Sequence, residues 1–113
     1  MFDSVTFNAL SSALDGLAAR QKAVANNIAN VNTPGYQAQR VEFEAALAKS
    51  VSESDGTVEA TTKLSLEPTQ LDGSNVNLDT ETLSNIDTVL RFQFASLAVD
   101  HKFSSMRAAI RTN

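Results

Sequence analysis

Large apolar residues recur through the first thirty-one positions at Phe7, Leu10, Leu14, Leu17, Val24, Ile28 and Val31. The intervals alternate between three and four, with Gln21 filling the one gap. Such a seam specifies a long helix that supercoils left-handedly against a partner helix. Over 4–31 it would be about 42 Å long at a rise of 1.5 Å per residue. Asp3 or Ser4 stands where an N-cap is needed. Gly16 costs about 1 kcal/mol relative to alanine inside a helix; either a close helix–helix approach explains it or the helix tolerates it. Asn26, Asn27 and Asn30 fan out on one flank of the seam. Asparagine is a mediocre helix former, because its amide competes for backbone hydrogen bonds. The three form either a solvated face or a set of hydrogen bonds to another chain. Pro34-Gly35 then stops the helix, near Val31 or Asn32, and fits the centre of a type II turn. Tyr36 follows as a packing anchor.

A second helix is expected over 80–111, about 48 Å long, uninterrupted by glycine or proline. Arg107 and Arg111 suit its negative end. Its apolar residues form two stripes about 180° apart at 100° per residue. Leu83, Ile86, Leu90, Phe94 and Leu97 are assigned to an intrachain seam with Leu10, Leu14, Leu17, Val24 and Ile28. Phe92, Val99, Phe103, Met106 and Ile110 are then left for a neighbouring subunit, since each large side chain is worth roughly 1.5–3 kcal/mol when buried. The alternative is a helix that bends near Val99, so that both halves pack on one chain.

Between the helices, 36–43 reads as extended, with Val41 and Phe43 alternating against Glu42 and Glu44. A short helical stretch fits 44–49. The segment 50–70 is rich in Ser, Thr, Glu and Asp, with a turn at Asp55-Gly56. It reads as a mobile loop with room for a short strand within 58–66. Asp72-Gly73 makes a further turn, Val76 and Leu78 dock the chain, and Asp79 is expected to cap the second helix with Glu81 in its first turn. The fold class is therefore mainly α: two long terminal helices pairing as an antiparallel, coiled-coil-like hairpin. The parts are a helix (1–32), a turn with extended segment and loop (33–79) and a helix (80–113), together one domain.

Composition excludes much. Six Phe, one Tyr and no Trp leave Ala and Leu to supply much of the 42% hydrophobic content, which suits long helices better than a thick core. A net charge of −4 without a basic cluster argues against nucleic acid. Absence of cysteine removes disulfides, thiol catalysis and thiolate zinc sites. No apolar run approaches the roughly 20 residues of a membrane span, and the first residues lack a cleavable secretory pattern. The chain is expected to be cytosolic or to leave by a route without a cleaved signal. His101 is the only histidine, and the thirteen carboxylates are scattered. No phosphate loop or hydrolase motif is present. The expectation is a non-enzyme with no cofactor, no metal and no small-molecule substrate.

The run Ala25-Asn26-Asn27-Ile28-Ala29-Asn30, continued by Thr33, Gly35 and Tyr36, resembles the N-terminal signature of the bacterial flagellar rod and hook family at every defined position. The segment Leu71-Asp72-Gly73-Ser74-Asn75-Val76-Asn77-Leu78-Asp79, with Glu81, resembles that of the family's smallest, proximal-rod members. Larger members mostly insert a β-domain for which there is no room here. Asn77 departs from a commoner aspartate, and the likeness is weakest across 50–68. The resemblance implies a structural subunit of the flagellar basal body in the cell envelope, exported by the flagellar type III route. It would polymerise through its terminal helices into a helical drive-shaft and serve motility. Implied partners are copies of itself, other rod proteins, the adaptor between rod and MS ring, and the export apparatus. Asn26, Asn27, Asn30, Pro34, Gly35 and Tyr36 would join the second stripe as subunit contacts. The free subunit is expected to be partly disordered at both ends. Rival readings are another small rod protein of the family, a wall-degrading enzyme needing a carboxylate pair in a cleft, and a coiled-coil binding module that does not polymerise.

Overall fold

The computed structural model of the chain describes residues 2–111. Five elements follow in order: α1 (Phe2–Ala29), β1 (Gln39–Glu42), α2 (Glu44–Ser52), β2 (Thr61–Leu64) and α3 (Leu78–Arg111). The molecule measures 66 × 26 × 14 Å, and α3 alone accounts for about 51 Å of that length. The long helices run antiparallel. Phe7 meets Phe103 edge to face at 5.8 Å between centroids, Gln21 Nε2 donates to Asn85 Oδ1 at 2.8 Å, and Asn27 reaches Glu81. Ser4 already lies inside α1, so it is not the cap expected of it. The side chain of Asp3, and the outermost residues Met1, Thr112 and Asn113 of the two helical segments, lie outside the described residues.

The buried face of α1 is not centred on its apolar seam. It is centred on Ser12, Gly16, Arg20, Ala23 and Asn27, a row of small and polar residues spaced four, four, three and four apart. Such a row lets backbone approach backbone. The Phe43 ring lies directly over Gly16, where an added Cβ would stand 2.5–2.7 Å from its carbons. Gly16 thus marks a close approach, by a ring at the β1–α2 junction rather than by another helix. Arg20 donates to Val41 O at 2.8 Å and pairs with Glu44, its guanidinium 4.9 Å from the Phe43 ring centre. Leu17 and Val24, on the flank of this row, are buried as seam residues should be; Leu10 and Leu14 are half-buried and Ile28 is exposed. Leu17, Ala23, Val41, Phe43 and Ala95 form the core where α1, β1, α2 and α3 converge.

β1 and β2 pair antiparallel, Gln39 opposite Leu64 and Glu42 opposite Thr61. Every residue of β2 is exposed. A two-stranded ribbon is marginal alone; this one persists because β1 is laid on α1. The 50–60 stretch is likewise tied down. Gly56 has φ +82° and rests on α1, where a Cβ would come 2.6 Å from Val5 O. Ser12 Oγ donates to Gly56 O and accepts from Val58 N, and Ser50 Oγ accepts from Gly56 N. The strand expected within 58–66 is β2.

The two stripes of α3 are exchanged relative to the sequence reading. Glu81, Thr88 and Ala95 are buried against the rest of the chain. Phe92, half-buried Val99, Phe103 and Met106 share that side of the helix: Phe103 packs on Phe7, and Phe92 lines a groove with Leu17 and Gln21. Phe92, Phe103 and Met106 keep part of their surface exposed, at 41–52%, and Ile110 is the most exposed of the stripe at 73%. Leu83, Ile86, Leu90, Phe94 and Leu97, assigned to the intrachain seam, face outward at 52–78% exposure. The physical reason is the close contact. α3 meets α1 through residues as small as Thr88 and Ala95, and the first-turn carboxylate of Glu81 is drawn inward by partners far off in sequence. Periodicity alone ranks large apolar residues first and so selects the other face.

Candidate assembly site

Two tight turns face each other where α1 ends and α3 begins. α1 closes with short turns, Asn30 N donating to both Asn26 O and Asn27 O and Thr33 N to Asn30 O. The Asn30 amide caps this end itself, donating to Asn26 O at 2.8 Å and accepting from Thr33 Oγ1. Tyr36 N then bonds to Thr33 O at 3.2 Å with Gly35 at φ +75°, as a type II turn on Pro34-Gly35 requires. The facing turn is closed by Gly73 N to Gln70 O at 2.9 Å, Gly73 having φ +85°. The turns touch glycine to glycine: a Cβ on Gly73 would stand 3.4 Å from Gly35 Cα, and Gly35 N donates to Asp72 O at 2.9 Å.

Side-chain amides lock the contact. Asn75 is buried. Its Oδ1 accepts from Ala38 N at 2.7 Å and its Nδ2 donates to Ser65 O and Glu67 O. Ser74, fully buried, donates through Oγ and N to Asp72 Oδ1 at 2.7 and 3.0 Å. These two bonds, the hydroxyl's first, hold the Asp72 carboxyl below its ordinary value of 3.8. Asn27 is also fully buried. It donates to Gln39 O at 3.0 Å and Glu81 Oε2 at 3.1 Å, and accepts from Gln39 N at 2.9 Å and Tyr36 Oη at 3.4 Å. Glu81, with no exposed surface, takes Arg40 as its charged partner. Asn77, not Asp79, caps α3: its Oδ1 accepts from Asp79 N at 3.0 Å and Thr80 N at 3.4 Å. Asparagine and aspartate cap equally well, so the departure at Asn77 costs the motif nothing.

Part of the expected contact set is engaged within the chain. Asn27, Gly35 and Tyr36 bond to the 71–81 segment that folds back onto them, and Asn30 bonds to Asn26 and Thr33 in its own turn. Asn26, Pro34 and Gly35 are exposed. Arg40, Ser74, Asn75 and Glu81 are the residues of this joint that sequence reasoning missed. Ser74, Asn75 and Glu81 sat inside a recognised motif, which was the available signal; Arg40 carried none.

The family described as "Flagella basal body rod protein" matches over residues 7–37, which include Asn27 and the first turn. The flagellar basal body rod protein FlgB of Escherichia coli (strain K12) is 31% identical over 122 residues, 88% of this chain and 88% of that protein. The chain belongs to the flagellar basal body rod protein FlgB family. FlgB of Proteus mirabilis (strain HI4320) is 27% identical over 94% of this chain and 93% of its own length. A flagellar basal-body rod protein FlgG, from Caulobacter vibrioides, is 44% identical over 59 residues, 44% of this chain and 22% of that protein. In this FlgB-family chain the two motifs form one joint that fixes where the long helices meet. Among the described residues no cluster of His, Asp or Glu is placed to hold a metal, and no helix is long and apolar enough to cross a membrane.

Proposed function

We propose that the protein is a structural subunit of the flagellar basal-body rod, at its proximal end, and polymerises through the outward row of α3. The observation that carries this is Leu83, Ile86, Leu90, Phe94 and Leu97, five large side chains in line on one helix face. A row this long is rare on a monomer and marks an interaction surface. Beside it runs a groove of about 510 Å³ lined by Leu10, Leu17, Phe43 and Leu47 as well as Leu90 and Phe94. Neighbouring rod subunits would cover both. Asn26 and Pro34 add exposed contacts at the joint. Other rod proteins are the natural partners, given the likeness to FlgG; the adaptor to the MS ring and the export apparatus complete the set. The test is Leu90→Asp in cells that depend on this chain. The variant should be made and exported, yet leave cells without filaments. Normal swimming would remove the row as an interface. A non-polymerising coiled-coil module is the second reading, and it predicts a subunit that stays monomeric at every concentration.

A further inference from the structure

β1 is partnered along both of its edges. On one side it pairs with β2. Ser65 N donates to Ala38 O at 2.7 Å, which with the strand register fixes Arg40 with Lys63, and Glu42 with Thr61, as the pairs that exchange main-chain bonds. On the other side α1 supplies the partners: Asn27 donates to Gln39 O and accepts from Gln39 N, and Arg20 donates to Val41 O. β2 has one edge closed and one open. The N–H and C=O groups of Thr62 and Leu64 alternate with those of Thr61 and Lys63, and so point away from β1. No hydrogen bond engages them among the described residues, and every residue of β2 is exposed. One side of the strand is bare as well. Thr62 stands opposite buried Val41, so Leu64 shares the core-facing side of the ribbon, yet it is 56% exposed.

We propose that the outer edge of β2 takes, as a third strand, an extended segment of another protein with apolar residues at alternate positions. The edge sets the occupant's backbone: unpaired N–H and C=O groups at strand spacing are matched by a second extended chain. Leu64, on the side that Val41 begins, sets its side-chain pattern, an apolar group at every second residue. Lys63 disfavours a copy of this chain as the occupant. The antiparallel register that pairs Thr62 with Leu64 in both directions sets Lys63 against Lys63, as does parallel in-register stacking, and like charges directly opposite repel. Lysine on an edge strand is a known guard against self-pairing. Because Lys63 is already held by Glu42 at 3.1 Å, the partner needs no acid at that position; it needs only to lack a base. This contact lies apart from the α3 row, and it uses backbone where that row uses side chains.

The probe is a capped synthetic peptide, Val-Thr-Val-Glu-Val-Thr-Val. In antiparallel register it sets its second valine against Leu64, its glutamate against Lys63 and its third valine against Thr62. Added to the full chain, it should slow hydrogen exchange of the Thr62 and Leu64 amides about tenfold and leave Thr61 and Lys63, already bonded to β1, unchanged. N-methylation of those two valines removes the facing N–H groups, keeps the side chains and should abolish the effect. N-methylation of the glutamate and the first threonine, whose N–H groups face away, should preserve it. Thr62→Pro deletes one edge donor, a change that an outward-facing strand position tolerates. The variant should lose the peptide while its circular dichroism stays that of the parent, and in cells that depend on this chain it should reduce swimming. The two N-methylated peptides decide on the unmodified chain, whatever the proline does to folding. Failure of the peptide to protect the edge, equal protection by the peptide methylated toward β2, or normal swimming by Thr62→Pro overturns the proposal. So does protection of the edge that rises with protein concentration in the absence of peptide, since a second copy would then be the occupant.

Discussion

Asn27 uses its whole hydrogen-bonding capacity, two donors and two acceptors, inside its own chain. Asn27→Ala would leave Gln39 N and one Glu81 oxygen without partners, while Gln39 O keeps Arg40 Nη1. A loss of about 1–3 kcal/mol per orphaned group is expected, read as a lower urea midpoint. Arg40→Met should cost more, about 3–5 kcal/mol, because it strands the Glu81 carboxylate; Glu81→Gln in the same background should recover part of it. Asp72 and Glu44 supply the pH dependence. Burial raises the Glu44 carboxyl, but the hydrogen bond and charge of Arg20 outweigh this and hold it below 4.5. The bonds from Ser74 do the same for Asp72 below 3.8. Both folded values are depressed, so their contribution is present in full above the ordinary carboxylate values and is lost as pH falls through the folded ones. Acid should therefore open the 70–75 turn, followed by the Ser74 amide resonance; Asp72→Asn, which keeps an acceptor and cannot titrate, should hold the resonance steady. That Asn27 was unusual could be read from the sequence. Its partner could not, since Glu81 lies 54 residues on and no local period connects them.

At the level of elements, both long helices, the Pro34-Gly35 turn, the short α2 and the strand after Asp55-Gly56 were legible, because each rests on period or turn chemistry within a few residues. Helix faces were not. α1 is centred on small and polar residues because an extended segment lies against it, and extended backbone makes no periodic demand on the sequence. Gly16→Ala tests this directly. Its methyl would overlap the Phe43 ring, and overpacking of this kind costs about 1–3 kcal/mol; Phe43→Leu should relieve part of the penalty in a double-mutant cycle. The exchanged stripes give a paired prediction. Phe103→Asp should lower the thermal midpoint of the subunit, by separating Phe103 from Phe7, whereas Leu90→Asp should leave the midpoint nearly unchanged and abolish assembly.

For the whole molecule, the outward row of α3 and the thin 14 Å section leave little apolar burial per residue. Helicity by circular dichroism should therefore rise with protein concentration as copies cover one another; a concentration-independent, sharp two-state melt would argue for a self-sufficient fold. The joint has a mechanical side too. Glu81, Thr88 and Ala95 are spaced seven apart along the buried face of α3, so a slide of one heptad, about 10.5 Å, would set Thr88 where Glu81 stands. Glu81 forbids it, since any slide parts the carboxylate from Asn27 and Arg40, and a buried polar group is the best-attested means of fixing register in paired helices. A shaft under torque loads each of its subunits in shear along the helix axes. In this chain Glu81 is the key in the keyway: a buried charged side chain resists slip in the hairpin, and the outward row of α3 is left free to grip the neighbours.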